Sequence, residues 1–211
     1  MTLDLILKGL QVTLIVWVGG MALSLVLAVP VAAMGRSRHR LVRGVSIVWV
    51  GLWRGVPPVV WLFILYFGIQ SSPWSSSPAA AAAVGLGLVN SAYVGEALRA
   101  GLNAVPRGQL EAAAALCLPR LTTYRQVIFP QAWPMVLAST TSYSITLMKN
   151  TSLASLIGAN EIVYYAAAEV REGADGVVVF FSVGLIFIIL CLPLSVLARR
   201  LDARAAIART R

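Results

Sequence analysis

Residues 10–43 read LQVTLIVWVGGMALSLVLAVPVAAMGRSRHRLVR, and two features of this stretch decide the fold. From Leu10 to Met34 the chain is almost wholly apolar, which is longer than the roughly 20 residues that a helix needs to cross a bilayer. Arg36, Arg38, His39, Arg40 and Arg43 follow at once. A basic cluster at the end of a span belongs on the cytoplasmic side, so residues before Leu10 lie outside. The run closes on Ala28-Val29-Pro30-Val31-Ala32-Ala33, which imitates a signal-peptide cleavage site. The apolar stretch is about twice the length of a signal core, and its charges follow it instead of preceding it, so it reads as an uncleaved first span.

Outward from this stretch the same grammar repeats. Hydrophobic residues make up 59% of the 211, charged ones only 12%, and mean hydropathy is +0.82. A soluble domain of that composition has nowhere to bury its side chains, so the fold class is an all-α membrane protein. Further windows run over 45–69, 79–98, 132–157 and 177–198. With 10–34 they make five transmembrane helices in one domain, 1–211. Two of the windows are interrupted, at Arg54-Gly55-Val56-Pro57-Pro58 and at Lys149-Asn150-Thr151-Ser152. Breaks at membrane depth are tolerated only beside protein or a water-filled cavity. Gly51 and Gly55 form a GxxxG pair, read here as a close-packing contact.

Charge orients the spans. Arg99, Arg107, Arg120 and Arg125 surround the third connection, and Arg199, Arg200, Arg204, Arg209 and Arg211 the tail. With the 36–43 cluster these face the cytoplasm, whereas uncharged 70–78, with interfacial Trp74, and acidic 158–176 face outward. The N-terminus is then outside and the C-terminus cytoplasmic. The net charge of +9 is a topology signal of loops that also meet anionic lipid; basic residues dispersed among loops exclude a nucleic-acid partner.

Absences narrow the chemistry. Neither Lys8 nor Lys149 is followed by Ser or Thr, so there is no P-loop and the chain is not its own ATPase. His39 is the only histidine, and no paired cysteines exist to complete a metal site. Cys117 and Cys191 fall in a cytoplasmic loop and a span, where no disulfide is expected. No hydrolytic constellation appears, and the expectation is a non-catalytic chain that binds no cofactor.

Between the third and fourth spans lies GQLEAAAALCLPRLTTYRQVIFPQA, residues 108–132. Strong helix formers predict a short helix over 109–117, with Glu111 in its first turn and Pro119 as its stop. Glu111-Ala112-Ala113 followed by Pro130-Gln131-Ala132 resembles the EAA loop of permeases from polar amino-acid ABC importers. Arg54-Gly55-Val56-Pro57, Leu62–Gly68, Asn90–Glu96 with Arg99-Ala100-Gly101, and Lys149-Asn150-Thr151-Ser152-Leu153 are similar to further motifs of that family, in its order. The resemblance covers about residues 9 to 200. It implies the type I ABC-importer permease fold in a bacterial inner membrane. The implied partners are an ATPase dimer carrying ATP and magnesium, a second permease subunit, identical or paralogous, and an extracytoplasmic substrate-binding protein. By the same resemblance the cytoplasmic segment 107–125 couples to the ATPase through Gly108, Glu111, Ala112, Ala113, Cys117 and Arg120.

The chain departs from the family pattern in places. Cys117 stands where glycine is usual, so a left-handed turn there would be strained by roughly 1 kcal/mol. Trp61 replaces a common Gln, Pro58 a common Leu and Asn150 a common Asp. Polar residues within spans mark a substrate path or its gate: Arg54, Asn90, Tyr93, Glu96, Lys149, Asn150 and Thr151. Arg54 and Lys149 could equally neutralise Glu96 or Glu161. A rival reading is an ATP-independent carrier or channel subunit for small polar solutes, in which broken spans are also usual.

Overall fold

The computed structural model describes residues 3–68 and 77–209, and every regular element among them is helical. The expected outward turn at 70–78, with Trp74, lies mostly outside the described residues; only its end, Ser77 and Pro78, is seen. Helix α1 spans Leu3–Gly35, α2 Arg40–Gly55, α3 Pro58–Phe67, α4 Pro78–Asn103, α5 Arg107–Ala115, α6 Arg120–Thr122, α7 Phe129–Asn150, α8 Ile162–Arg171 and α9 Gly176–Arg209. Helices α1, α4 and α9 are each long and apolar enough to cross a bilayer, and α2 with α3 makes a fourth crossing if the bent pair counts as one. Helix α7 has the length but not the apolarity, because Ser139 to Ser142, Ser144 and Thr146 occupy its middle.

Both expected breaks are real. Helix α2 ends at Gly55, Pro57 caps α3, and the two axes bend by 97°. Proline without an N–H, preceded by a Val56 it holds extended, cannot carry a helix through. Helix α7 ends at Asn150 and tightens into a 3-10 segment, Thr151–Ile157, that stops at left-handed Gly158. A third irregularity was not expected: Thr123–Ile128 is a π-helical stretch joining α6 to α7. The two prolines just beyond it, Pro130 and Pro134, each remove a backbone donor, and widening the turn relieves the ring clash one turn earlier.

The centre of the fold is the seam between α1 and α4. The side chains of α4 that face α1 are Ala, Gly or Ser for most of its length, and that lets the backbones meet. A Cβ on Gly87 would sit 2.9 Å from the Gly20 carbonyl oxygen, and one on Gly95 2.9 Å from Val31 Cγ1. Because residue 20 meets 87 and 31 meets 95, the two helices run parallel. Asn90 Nδ2 donates to Ser24 Oγ (2.9 Å) across the same seam. Trp17 Nε1 donates to the Ser144 carbonyl (3.1 Å), fixing α7 on α1, and Trp49 Nε1 to Ser91 Oγ (3.1 Å), fixing α2 on α4.

The Gly51–Gly55 pair does not pack as expected. A Cβ at either position meets nothing within 4 Å, because the pair lies on the exposed face of α2, opposite the Trp53 face that packs on α4. Helix α9 is the opposite of α4: Val177, Phe181, Ile188, Ile189 and Leu192 are all exposed, as suits a lipid-facing surface.

Candidate functional site

Two regions carry the residues singled out by the sequence. The first is α5. It begins at Arg107 after Pro106, so Glu111 lies in the second turn and not the first, and the dipole argument for it falls away. The helix stops before Pro119 is reached. Cys117 N–H bonds the Ala114 carbonyl (2.9 Å) and Leu118 N–H the Ala113 carbonyl (3.0 Å), the paired bonds of a Schellman turn. Cys117 accordingly takes the left-handed conformation, φ 53°, and is the only non-glycine with positive φ among the described residues. Pro119 instead opens α6 as its N-cap.

Nearly all of α5 is bare. Ala113 is its one buried residue, while Gly108, Glu111, Ala112, Ala114 and Ala115 are exposed. Leu116 and Leu121 beyond it are 72% and 78% exposed, and Arg120 flanks them. Beside α5 runs a groove of about 550 Å³ lined by Leu110, Ala114, Leu118 and Thr123, with Arg38 and Arg120 facing into it. Gln131 Nε2 donates to Gln109 Oε1 (3.4 Å), a weak tie of α5 to the start of α7. An apolar strip rimmed by charge and held to the body by little is a surface shaped for another protein.

The second region is a cavity of about 160 Å³ between α3, α4 and α7. Asn90 and Tyr93 from α4 and Asn150 from the end of α7, three of the residues singled out from the sequence, line it together with Pro58, Tyr143 and Thr146. Asn90 lies near the midpoint of α4, so the cavity is at mid-span. Tyr93 and Tyr143 rings stand 5.4 Å apart, and the Arg54 guanidinium sits 4.7 Å over the Tyr93 ring. Trp53 and Trp61 stack at 4.3 Å behind Val89 and Tyr93. Their indole nitrogens are buried without partners.

The other path candidates go elsewhere. Glu96 pairs with Arg99 one turn along α4 (2.6 Å), so Arg54 does not neutralise it by contact. Lys149 points to α9, lining a hollow with Phe187, Cys191 and Arg199. Thr151 is fully buried and donates to the Met148 carbonyl (2.7 Å), closing the end of α7. Tyr143 and Thr146 were missed because uncharged residues in a Ser/Thr-rich helix give no signal of which face meets a cavity.

Glu161 entered the sequence reading only as a charge that Arg54 or Lys149 could neutralise, in an acidic segment facing outward. It is 0% exposed. Its Oε1 accepts from Tyr164 N (2.9 Å) to cap α8, while Oε2 has no partner. Burial pushes its carboxyl up to about 7, against the opposing pull of backbone donors at Val163, Tyr164 and Ile162. The cap is pressed against α1, where a Cβ on Gly9 would meet Ile162 N and Cα at 2.9 Å.

Residues 11–207 match the family described as binding-protein-dependent transport system inner membrane component. The chain belongs to this family. It is 33% identical over 188 residues to the probable amino-acid ABC transporter permease protein PatM of Vibrio harveyi, covering 88% of this chain and 84% of that one. It is 30% identical over 203 residues to the arginine transport system permease protein ArtQ of Bacillus subtilis, covering 94% and 91%. A solved amino acid ABC transporter with histidines superposes with a TM-score of 0.86 at 26% identity, over 95% of this chain and 94% of that one. The chain is therefore an inner-membrane transport subunit of the ABC permease fold.

Proposed function

We propose that the chain is the membrane-spanning subunit of a type I importer for a polar amino acid or related compound, driven by ATP that a separate ATPase dimer hydrolyses. The relatives' names supply the substrate class, and α5 carries the mechanism. A short helix that exposes Glu111, Ala112, Leu116 and Arg120 while burying only Ala113 is stable as a lever only when something covers it. Closure of the ATPase pair, with its ATP and magnesium, would pull α5. The movement would pass through the π-helical stretch into α7, whose far end borders the cavity.

In this reading the whole chain is one domain of five spans, N-terminus outside and C-terminus cytoplasmic. The α2–α3 pair and α7 complete the set begun by α1, α4 and α9. Segment 107–125 is the cytoplasmic coupling element, with Gly108, Glu111, Ala112, Ala113, Cys117 and Arg120 at the contact. Asn90, Tyr93 and Asn150 meet the substrate, Arg54 acts from behind Tyr93, and Lys149 and Glu96 keep structural roles. A second permease copy or paralogue and an extracytoplasmic binding protein complete the assembly. The chain itself catalyses nothing and holds no cofactor. An ATP-independent carrier has no use for an uncovered α5.

The test is co-purification with an ATPase subunit from the same cell membrane, combined with labelling of single cysteines in a Cys117→Ser background. Cysteines at 36–43 and 107–125 are expected to react only from the cytoplasmic side, and those at 169–175 only from outside. Reaction of 107–125 from outside would remove the docking argument altogether.

A further inference from the structure

The cavity is one-sided in charge. The chain contains eight acidic residues, and none of them lines it. Glu96 is engaged by Arg99 on the same helix, Glu161 is walled in behind the start of α8, and Asp4 pairs with Lys8 (2.8 Å). Glu111 is on α5, Asp202 is near the end of α9, Glu169 is in the last turn of α8, and Glu172 and Asp175 fall in the segment that joins α8 to α9. A full positive charge stands against one of the lining side chains: Arg54, 4.7 Å over the Tyr93 ring. Asn150, which borders the cavity, is a neutral amide.

We propose that this cavity selects amino acids whose side chain is neutral and polar, and rejects those with a cationic side chain. The inference rests on reading the cavity as the substrate path. The α-carboxylate is drawn toward the Arg54 end. The α-ammonium is met by amide oxygens and by the faces of Tyr93 and Tyr143, since aromatic faces attract cations. Asn90 spends its amide hydrogens on Ser24 Oγ and Met21 Sδ, so its carbonyl oxygen is the atom left for a ligand. These groups satisfy one cation. A second, on an arginine or lysine side chain, finds no carboxylate here, and an unpaired charge at membrane depth is strongly disfavoured. Size agrees. A cavity near 150 Å³ accommodates a molecule about as large as benzene, so 160 Å³ suits a short side chain such as that of serine or asparagine and crowds arginine.

The selection separates this chain from ArtQ, whose name specifies arginine, despite their 30% identity. It is tested on the intact permease–ATPase complex purified without the binding protein, so that the membrane subunit alone discriminates. Equilibrium binding of radiolabelled L-serine, L-asparagine and L-arginine is compared for the natural protein, Asn150→Asp and Tyr143→Trp. A neutral probe should bind the natural protein on the order of a hundredfold more tightly than arginine, given insertion costs for an unpaired charge. Asn150→Asp should shrink that preference to roughly tenfold or less by supplying a carboxylate. Tyr143→Trp, which fills the cavity, should abolish binding of all three probes. Arginine bound as well as serine by the natural protein, with Tyr143→Trp still blocking, overturns the charge selection but leaves the cavity as the path. Binding untouched by Tyr143→Trp, or no binding of any neutral probe, overturns both.

Discussion

Helices α4 and α5 are both rich in alanine and glycine, yet they use those small residues in opposite ways. In α4 the small face is answered within the chain: Gly87 meets Gly20 backbone to backbone, Gly95 meets Val31, and thirteen of its residues are buried. In α5 the same kind of face meets nothing, and one residue of nine is buried. Small side chains permit close approach; they do not say whose approach. The difference lies in the surroundings of each helix. Helix α4 is flanked by α1, α2, α3 and α7, whereas α5 is held away from the bundle by Pro106 on one side and the Cys117 turn with Pro119 on the other.

The sharpest way to break this contrast is Glu111→Lys. If α5 waits for a partner, the variant accumulates in the membrane like the natural chain, while substrate-stimulated ATPase activity falls by roughly thirtyfold, the about 2 kcal/mol of an interface hot spot. A variant that fails to accumulate would make Glu111 a residue of the fold. Next in size is Gly87→Ala. Its Cβ must push the Gly20 carbonyl, so thermal unfolding in detergent should show a loss of roughly 1–3 kcal/mol, the usual cost of overpacking. Ala115→Leu on α5 should stay within about 0.5 kcal/mol in the same assay. Equal losses at both positions would erase the distinction. The smallest effect is expected from Cys117→Gly. Removing Cβ from a residue at φ 53° should stabilise the α5 turn by roughly 1 kcal/mol, read as slower hydrogen exchange at Leu118 N–H. Unchanged exchange would mean that the left-handed turn carries no strain.

The contrast also shows what a single sequence can disclose. Spans α1, α4 and α9 are visible because twenty apolar residues in a row have few other uses. The breaks at Pro57 and after Lys149 are visible because proline and a polar cluster act locally. Contacts between helices are not local. Gly51 and Gly55 had the spacing of a packing motif and pack against nothing, while Gly20 and Gly87, sixty-seven residues apart, carry the seam. The site was half legible for the same reason. Asn90, Tyr93 and Asn150 stood out as polar residues in apolar helices, but whether Lys149 turned with them or toward α9 depended on the rotation of α7, which the chain sets through Pro130, Pro134 and the π turn. The end of α5 was misjudged because Pro119 is a stronger stop signal than a cysteine, and backbone bonds closed the turn first.

Glu161 gives the contact between α8 and α1 a dependence on acidity. Its carboxyl titrates near 7 in the folded chain and at 4.5 when exposed, so the folded state holds a proton that the opened state releases. The contribution to stability is complete below about pH 4.5 and is lost as pH rises through 7, when an unsatisfied Oε2 must carry charge in a place closed to water. Helix α8 should thus clasp Gly9 of α1 most tightly in acid and loosen on the alkaline side of neutrality. Glu161→Gln keeps the cap without the titration, so labelling of a cysteine placed at Ile162 should speed up between about pH 6 and 8 only in the chain that retains Glu161, beyond the intrinsic rise in thiolate reactivity seen in both. Matching pH profiles in the two chains would mean that the clasp is indifferent to the proton. The chain would then carry, in one buried carboxyl, a coupling between the acidity around α8 and the ease with which its seam with α1 parts.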